Sequence, residues 1–95
     1  MRLTASQIET IRQATRQNFG ADASVWLFGS RVDDARRGGD VDIYIEHTGK
    51  NTLMPALRCK IALEDSLDLH VDLIVKEPGI DKPIYQLAKT QGVRL

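Results

Sequence analysis

The chain has 95 residues, which suits a single domain, spanning residues 1–95, with a modest core. Its 13 basic and 13 acidic residues cancel, so no overall charge attracts nucleic acid or an anionic membrane, and we expect no direct nucleic-acid partner. One cysteine, Cys59, excludes an internal disulfide and a cysteine-based zinc site. We recognise neither a signal peptide nor a long apolar run, and therefore expect a cytoplasmic protein without a membrane partner.

The first part of the chain predicts a helix followed by a buried strand. Thr4 and Gln7 have the spacing of a capping box, and Gly20 is a natural helix end. Apolar residues recur between them at helical spacing, at Ile8, Ile11 and Phe19. Residues 23–28 are apolar and rich in β-forming residues, which is typical of a buried strand.

A short helix and a second strand are expected next. Residues 30–37 predict a short helix that starts at a Gly-Ser turn and ends at Gly38 and Gly39. Residues 41–46 predict the second strand. Side chains alternate between the faces of a strand, so one set points into a core: Val41, Ile43 and Ile45.

A second long helix is expected after a polar turn, capped by Asn51 or Thr52. It carries two apolar rows, one of Leu53, Leu57 and Ile61 and the other of Ala56, Cys59 and Leu63. Lys60 and Glu64 lie between the rows at the spacing of an ion pair. Two interpretations stay open for them: an exposed seam between two packing surfaces, or a position near a bound substrate.

The remaining elements complete a small α/β (α+β) fold. Residues 66–69 are expected to form a linker, residues 70–75 a third strand and residues 83–89 a last helix, after which Val93 and Leu95 pack down. Three strands with flanking helices form a minimal layered sheet. The first two strands are joined by a short connection and need not be parallel, so we predict a mixed three-stranded sheet.

Acidic residues and the Gly-Ser turn define a candidate site. Asp40 and Asp42 open the second strand and point to one face because they are one residue apart. Neighbouring carboxylates repel each other unless a cation lies between them, and hard ions such as Mg²⁺ take oxygen ligands. Gly29 and Ser30 offer backbone N–H groups and a hydroxyl to a phosphate. Asp72 lies in an otherwise apolar strand, where sharing the metal would explain a carboxylate.

Together these residues predict a site for a metal-bound nucleoside triphosphate. Three carboxylates can hold two Mg²⁺ ions, which clamp the attacking and leaving oxygens of a phosphoryl displacement. In this interpretation Asp40 and Asp42 bridge both ions, while Asp72 ligates the ion that activates an incoming hydroxyl and accepts its proton. The terminal phosphates would be held by the turn residues Gly29, Ser30 and Arg31.

The sequence around these residues resembles the nucleotidyltransferase superfamily that includes DNA polymerase β. It resembles most closely the minimal nucleotidyltransferases, short prokaryotic proteins often called MNT antitoxins. The likeness lies in residues 27–34, 38–42, 71–75 and 88–95 and covers nearly the whole chain. All three carboxylates match the family pattern, and the linker between Gly-Ser and Asp-x-Asp is slightly shorter than is common.

This resemblance implies a nucleotidyltransferase fold of the polymerase β palm type and a Mg²⁺-dependent transfer of AMP from ATP. It also implies a partner, an all-helical HEPN-domain ribonuclease toxin that the antitoxin neutralises by adenylylating a tyrosine, in a homo- or hetero-oligomer. One alternative is a non-catalytic antitoxin that acts by contact through an apolar surface of Ile84, Tyr85 and Leu87. Transfer to a small molecule and a purely structural role for the aspartates are also open.

Overall fold

The computed structural model describes residues 3–29 and 40–95, and of Asp40 it describes the backbone. These residues form three α-helices and one four-stranded sheet. In chain order the elements are α1 (Ala5–Phe19), β1 (Ser24–Phe28), β2 (Asp40–Glu46), α2 (Leu53–Leu67), β3 (His70–Val75), α3 (Pro83–Gln91) and β4 (Val93–Arg94). The short helix predicted at residues 30–37, with Gly38 and Gly39, lies outside the described residues.

The sheet has the strand order β3-β2-β1-β4. β1 and β2 are antiparallel and β2 and β3 are parallel, which confirms the predicted mixed sheet. The predicted number of strands was one too low, because β4 pairs antiparallel with β1 through Leu27 and Val93. A strand of two residues is too short to show the alternation by which strands are recognised in a sequence.

One face of the sheet, which we call the closed face, packs against α1 and α2. The helices contribute Ile11 and Ala14 from α1 and Cys59 and Leu63 from α2. The strands contribute Val25, Leu27, Val41, Ile43, Ile45, Val71 and Val75. The three residues of β2 that were predicted to point inwards are completely buried here, which confirms the alternation.

The other face, which we call the open face, is covered at one end by α3. Tyr85 and Ala88 of α3 pack against the fully buried Tyr44, and the two tyrosine rings stack with centroids 5.3 Å apart. The Tyr44 hydroxyl donates to Glu46 at 2.7 Å, and Glu46 also pairs with Lys89 of α3 at 3.2 Å. Burial, together with Glu46, raises the pKa of the Tyr44 phenol above its ordinary value. Tyr85 is only 3% exposed, so its predicted place in an exposed docking surface is wrong.

The ends of α1 follow the sequence signals closely. Thr4 and Gln7 form the predicted capping box, with reciprocal hydrogen bonds of 2.8 and 3.1 Å. The helix ends at Gly20, whose φ of 97° favours glycine. At the start of α2, Thr52 occupies the N-cap position but makes no capping bond; its hydroxyl lies 3.3 Å from Nε2 of His47.

The end of α2 differs from the prediction. The helix continues through Leu67, where a linker was expected, because Leu67 packs against the core of the closed face. Asp68 ends the helix in the left-handed region, with φ 54° and ψ 42°. β3 begins two residues later at His70, so the last turn of α2 lies close to the start of β3.

The two apolar rows of α2 have different surroundings. The row of Ala56, Cys59 and Leu63 packs against the closed face, and burial raises the pKa of the Cys59 thiol to about 11. The exposed apolar row, Leu53, Leu57 and Ile61, is 69%, 47% and 66% exposed. None of the helices within residues 3–29 and 40–95 combines the length and the apolar character that crossing a membrane requires.

Candidate functional site

Asp42 and Asp72 lie side by side on the open face, beyond the end that α3 covers. The parallel register of β2 and β3 pairs Asp42 with Asp72, just as it pairs Tyr44 with Ile74. Paired residues on neighbouring strands point to the same face and lie about 4.8 Å apart along the hydrogen-bonding direction. The register therefore brings together two of the three carboxylates predicted to form the site.

Gly29 lies directly against Asp42. It follows the last residue of β1, Phe28, which pairs with Asp42 across the sheet. The φ of Gly29 is 77°, and a Cβ atom built on it would overlap Oδ2 of Asp42 and lie 2.9 Å from its Cγ. The position thus requires glycine for both its backbone conformation and the space that the Asp42 carboxyl group occupies.

The remaining predicted residues can be placed only in part. Asp40 is paired with His70 in the register, at the same end of the strands as Asp42 and Asp72. The side chain of Asp40 and the residues Ser30 and Arg31 lie outside what the structure describes. Their predicted roles in holding metal and phosphate stay predictions.

Two further side chains are linked to Asp72: His70 contacts it directly, and Glu64 contacts His70. Nε2 of His70 lies 3.2 Å from Oδ1 of Asp72, and Nδ1 of the same ring lies 3.0 Å from Oε2 of Glu64. Oε2 of Glu64 also accepts a hydrogen bond of 3.0 Å from the backbone N–H of Val71. The side chains Glu64, His70 and Asp72 therefore form a continuous chain of polar contacts from α2 to the candidate site.

Sequence reasoning did not find this chain of contacts. No role was assigned to His70 from the sequence, and Glu64 was left open between a surface seam and a position near substrate. One signal was present, since His70 precedes Asp72 by two residues and so shares its strand face. The contact with Glu64 could not be predicted, because it depends on the short connection at Asp68 between α2 and β3.

The donor atoms at this site suit a hard divalent cation. Asp42 and Asp72 supply carboxylate oxygens from adjacent strand positions, and oxygen is the ligand atom that Mg²⁺ prefers. Among the side chains that the structure describes, no three or more His, Cys, Asp or Glu residues are arranged as a metal cluster. The described side chains thus provide two of the three predicted ligands.

One concavity of the described surface is separate from the candidate site. A cavity of about 200 Å³ at the start of β1 is lined in part by Arg12, Arg16 and Arg94. Arg12 and Arg16 approach Glu9 at 4.0 and 3.3 Å, so part of this positive charge is balanced locally. Gly29 follows the opposite end of β1, so this cavity and the candidate site are separate.

Comparison with known proteins places this geometry in a family. The model of the nucleotidyltransferase domain matches residues 8–91. No curated protein sequence matches the chain significantly.

Solved structures share the fold. One is a toxin–antitoxin complex with AMP-PNP, with 22% identity, a TM-score of 0.76, and coverage of 97% of this chain and 72% of that chain. Another is a tri-AMPylated HEPN toxin from Shewanella oneidensis in complex with an MNT antitoxin, with 22% identity, a TM-score of 0.72, and coverage of 94% and 68%. A third is a variant of the MntA–HpeT toxin–antitoxin complex, with 23% identity, a TM-score of 0.72, and coverage of 98% and 71%.

At these identities the structural likeness establishes the fold, and the family model covers most of the chain. The predicted nucleotidyltransferase fold is confirmed. The chain belongs to the family of nucleotidyltransferase domains.

Proposed function

We propose that this protein is a metal-dependent adenylyltransferase that transfers AMP from ATP to a tyrosine hydroxyl of a HEPN ribonuclease toxin. It would be the antitoxin of a cytoplasmic toxin–antitoxin pair and would form a hetero-oligomer with its target. The observation that carries the proposal is the in-register pair Asp42 and Asp72 beside Gly29 in a nucleotidyltransferase domain. An AMPylated toxin and AMP-PNP in structures of the same fold support the choice of nucleotide and partner.

The proposed reaction exchanges one phosphate ester for another. The hydroxyl oxygen of the acceptor forms a bond to the α-phosphorus of ATP, and the bond from that phosphorus to the oxygen bridging to the β-phosphate breaks. Pyrophosphate leaves, and the carboxylate of Asp72 accepts the hydroxyl proton. The proposed phosphate-binding residues are Gly29, Ser30 and Arg31.

The proposed cofactor is Mg²⁺, as two ions with bound ATP, held by Asp40, Asp42 and Asp72. The paired carboxylates of Asp42 and Asp72 fit this role because they offer hard oxygen donors at one place. When bound, the metal would neutralise the triphosphate and make the acceptor hydroxyl more acidic. The contribution of the chain is to hold the carboxylates in position, with Gly29 leaving the room that Asp42 needs.

The accessibility of the site is consistent with a protein acceptor. The side chain of Asp72 is 49% exposed, and α3 covers the Tyr44 end of the open face. A second molecule can therefore bring a hydroxyl to Asp72 without a rearrangement of α3.

Transfer can be tested with ATP radiolabelled at the α-phosphate, Mg²⁺ and the protein encoded by the neighbouring gene, which the proposal expects to be a HEPN protein. The wild type should label the HEPN protein, whereas ATP labelled at the γ-phosphate should leave it unlabelled. Asp42→Asn and Asp72→Asn should abolish labelling, and Asp65→Asn, which removes an exposed acid from α2, should not. Equal labelling by wild type and Asp72→Asn, or no labelling by wild type, would contradict the proposal.

A second candidate function is neutralisation by contact alone, and the exposed apolar row of α2 favours it. Leu53, Leu57 and Ile61 present an apolar strip along two turns of a helix, a common feature of protein interfaces. Such a strip could hold a helical partner whether or not AMP is transferred.

The two functions predict opposite results for a double variant of the aspartates. If contact suffices, Asp40→Asn/Asp42→Asn still neutralises the toxin, while Leu57→Glu, which places a charge in the row, does not. If transfer is required, the double variant binds the toxin without neutralising it. Arg58→Glu is the matched control, because Arg58 is exposed on the same helix outside the row.

A further inference from the structure

We infer that Glu64 and His70 are positioning residues that hold the Asp72 carboxylate in the orientation needed to bind the metal–nucleotide complex. The inference rests on the proposed function of Asp72 as a ligand. It extends that function to two residues outside the Asp40, Asp42 and Asp72 set.

The contacts connect Asp72 to a fixed part of the fold. Glu64 lies in the last turns of α2, and its Oε2 is held 3.0 Å from the backbone nitrogen of Val71. The same oxygen lies 3.0 Å from Nδ1 of His70, and Nε2 of His70 lies 3.2 Å from Oδ1 of Asp72. Each side chain is thus oriented by the one before it, starting from a backbone hydrogen bond.

Asp72 needs such support because it is half exposed. The torsion that rotates an aspartate carboxyl group is broad, so an unsupported Asp72 would take several orientations. A metal ligand must present its oxygen in one direction, and hydrogen-bond partners of ligating carboxylates supply that restriction. With Oδ1 directed towards His70, the other oxygen of Asp72 has a defined direction as well.

The position of His70 argues against a role in packing. Its side chain is 54% exposed, so it contributes little to a buried core. Glu64 does contribute to the fold, because it satisfies the N–H of Val71 on β3, which is an edge strand. His70 is not needed for that bond, so its link to Asp72 has to be explained separately.

Metal affinity tests the inference directly. Mn²⁺ is titrated into the protein in the presence of AMP-PNP, and free Mn²⁺ is measured by its paramagnetic resonance signal. Asp72→Asn should weaken Mn²⁺ binding most, and His70→Ala should weaken it about 10-fold. His70→Gln should recover part of the loss, because the amide can still donate to Asp72. Glu64→Gln should give a smaller loss, and Asp65→Asn, the neighbouring acid, should give none.

The sign of the His70→Ala effect separates positioning from simple charge. An imidazole adds no negative charge to the site, so its removal does not weaken a bound cation on electrostatic grounds, and weaker binding requires an effect on ligand geometry. Adding His70→Ala to Asp72→Asn should cause no further loss, because the residue that His70 positions is already changed. Melting of each metal-free variant checks the fold, and His70→Gln remains informative if His70→Ala is unstable.

Failure of this inference differs from failure of the proposed function. If Asp72→Asn weakens Mn²⁺ binding and both His70 variants bind as tightly as wild type, the positioning role is wrong and the proposed function stands. If Asp72→Asn binds Mn²⁺ with AMP-PNP as tightly as wild type, the proposed function itself is wrong.

Discussion

The two faces of the sheet carry different kinds of residues, although the same strands build both. On β2, Val41 and Ile43 point to the closed face and are completely buried among apolar side chains. Asp42 lies between them and points to the open face, where it is paired with Asp72. Alternation along one strand thus separates the residues that stabilise the fold from the residues proposed to act on a nucleotide.

This separation has a consequence for substitutions. Changes on the closed face should lower stability and leave the activity of each folded molecule intact. Changes at the carboxylate end of the open face should lower activity with little effect on the core. The covered end of the open face, around Tyr44, should behave like the closed face although it shares its surface with the site.

The largest effect is expected at Gly29. Gly29→Ala forces a Cβ atom against the Asp42 carboxyl group, so AMP transfer should fall by about 1,000-fold, equivalent to about 4 kcal/mol. Gly79→Ala is the matched control: its φ of 74° imposes a similar backbone strain, but nothing lies within 4 Å of the added atom. Initial rates of labelling check both variants, and equal loss in both would show that strain alone is responsible.

A substitution of Leu63 tests whether changes on the closed face lower stability. Leu63→Ala removes a fully buried side chain and should lower the free energy of unfolding by about 2–5 kcal/mol, measured by urea denaturation. Ile61→Ala, two residues away on the same helix, should change it little because Ile61 is 66% exposed. Labelling per folded molecule should stay near the wild-type value in Leu63→Ala, and a loss of activity that matches the loss of stability would contradict the separation of the faces.

A substitution of Tyr44 tests whether the covered end of the open face contributes to stability as the closed face does. Tyr44→Phe removes a hydrogen bond to a charged acceptor and should cost about 1.5–3 kcal/mol of unfolding free energy. Tyr85→Phe should cost less, because the Tyr85 hydroxyl accepts a longer bond, of 3.4 Å, from the uncharged backbone N–H of Glu77. Thermal melting compares the two variants. If Tyr85→Phe loses as much stability as Tyr44→Phe or more, the hydrogen bond between Tyr44 and Glu46 is not the stronger of the two.

The smallest effect concerns pH and His47. Burial lowers the pKa of His47 below its ordinary value of 6.5, so the folded state favours the neutral ring. As the pH falls below about 6.5 the unfolded chain binds the proton first, and stability decreases. When the free energy of unfolding is measured by denaturation between pH 8 and pH 5, His47→Gln should lose less stability towards pH 5 than wild type. An equal loss in the two proteins would show that His47 does not cause the decrease.

Local signals in the sequence were sufficient to predict most of the fold. The capping box of Thr4 and Gln7 and the alternation of β2 depend on residues close in the chain, and both are found as predicted. The same alternation placed Asp42 and Asp72 on strands that could meet, because each interrupts an apolar pattern.

Features that depend on distant contacts were not predicted. β4 exists through its pairing with β1, and the extension of α2 to Leu67 depends on packing against the core. The amphipathic pattern of α2 could not show which apolar row faces the sheet, since both rows have the same chemical character. The contact of Glu64 with His70 likewise depends on how α2 and β3 meet, which only the folded chain determines.

The burial of Tyr44 and Tyr85 has a consequence for self-modification. These are the two tyrosines of the sequence, they are 0% and 3% exposed, and both hydroxyls are engaged in hydrogen bonds. An adenylyltransferase that prefers phenolic acceptors would thus carry no accessible phenol of its own, and its label would pass to other molecules instead of accumulating on itself. Any AMP found on this chain after incubation with ATP should be attached to an aliphatic hydroxyl, a distinction that mass spectrometry of the digested protein resolves.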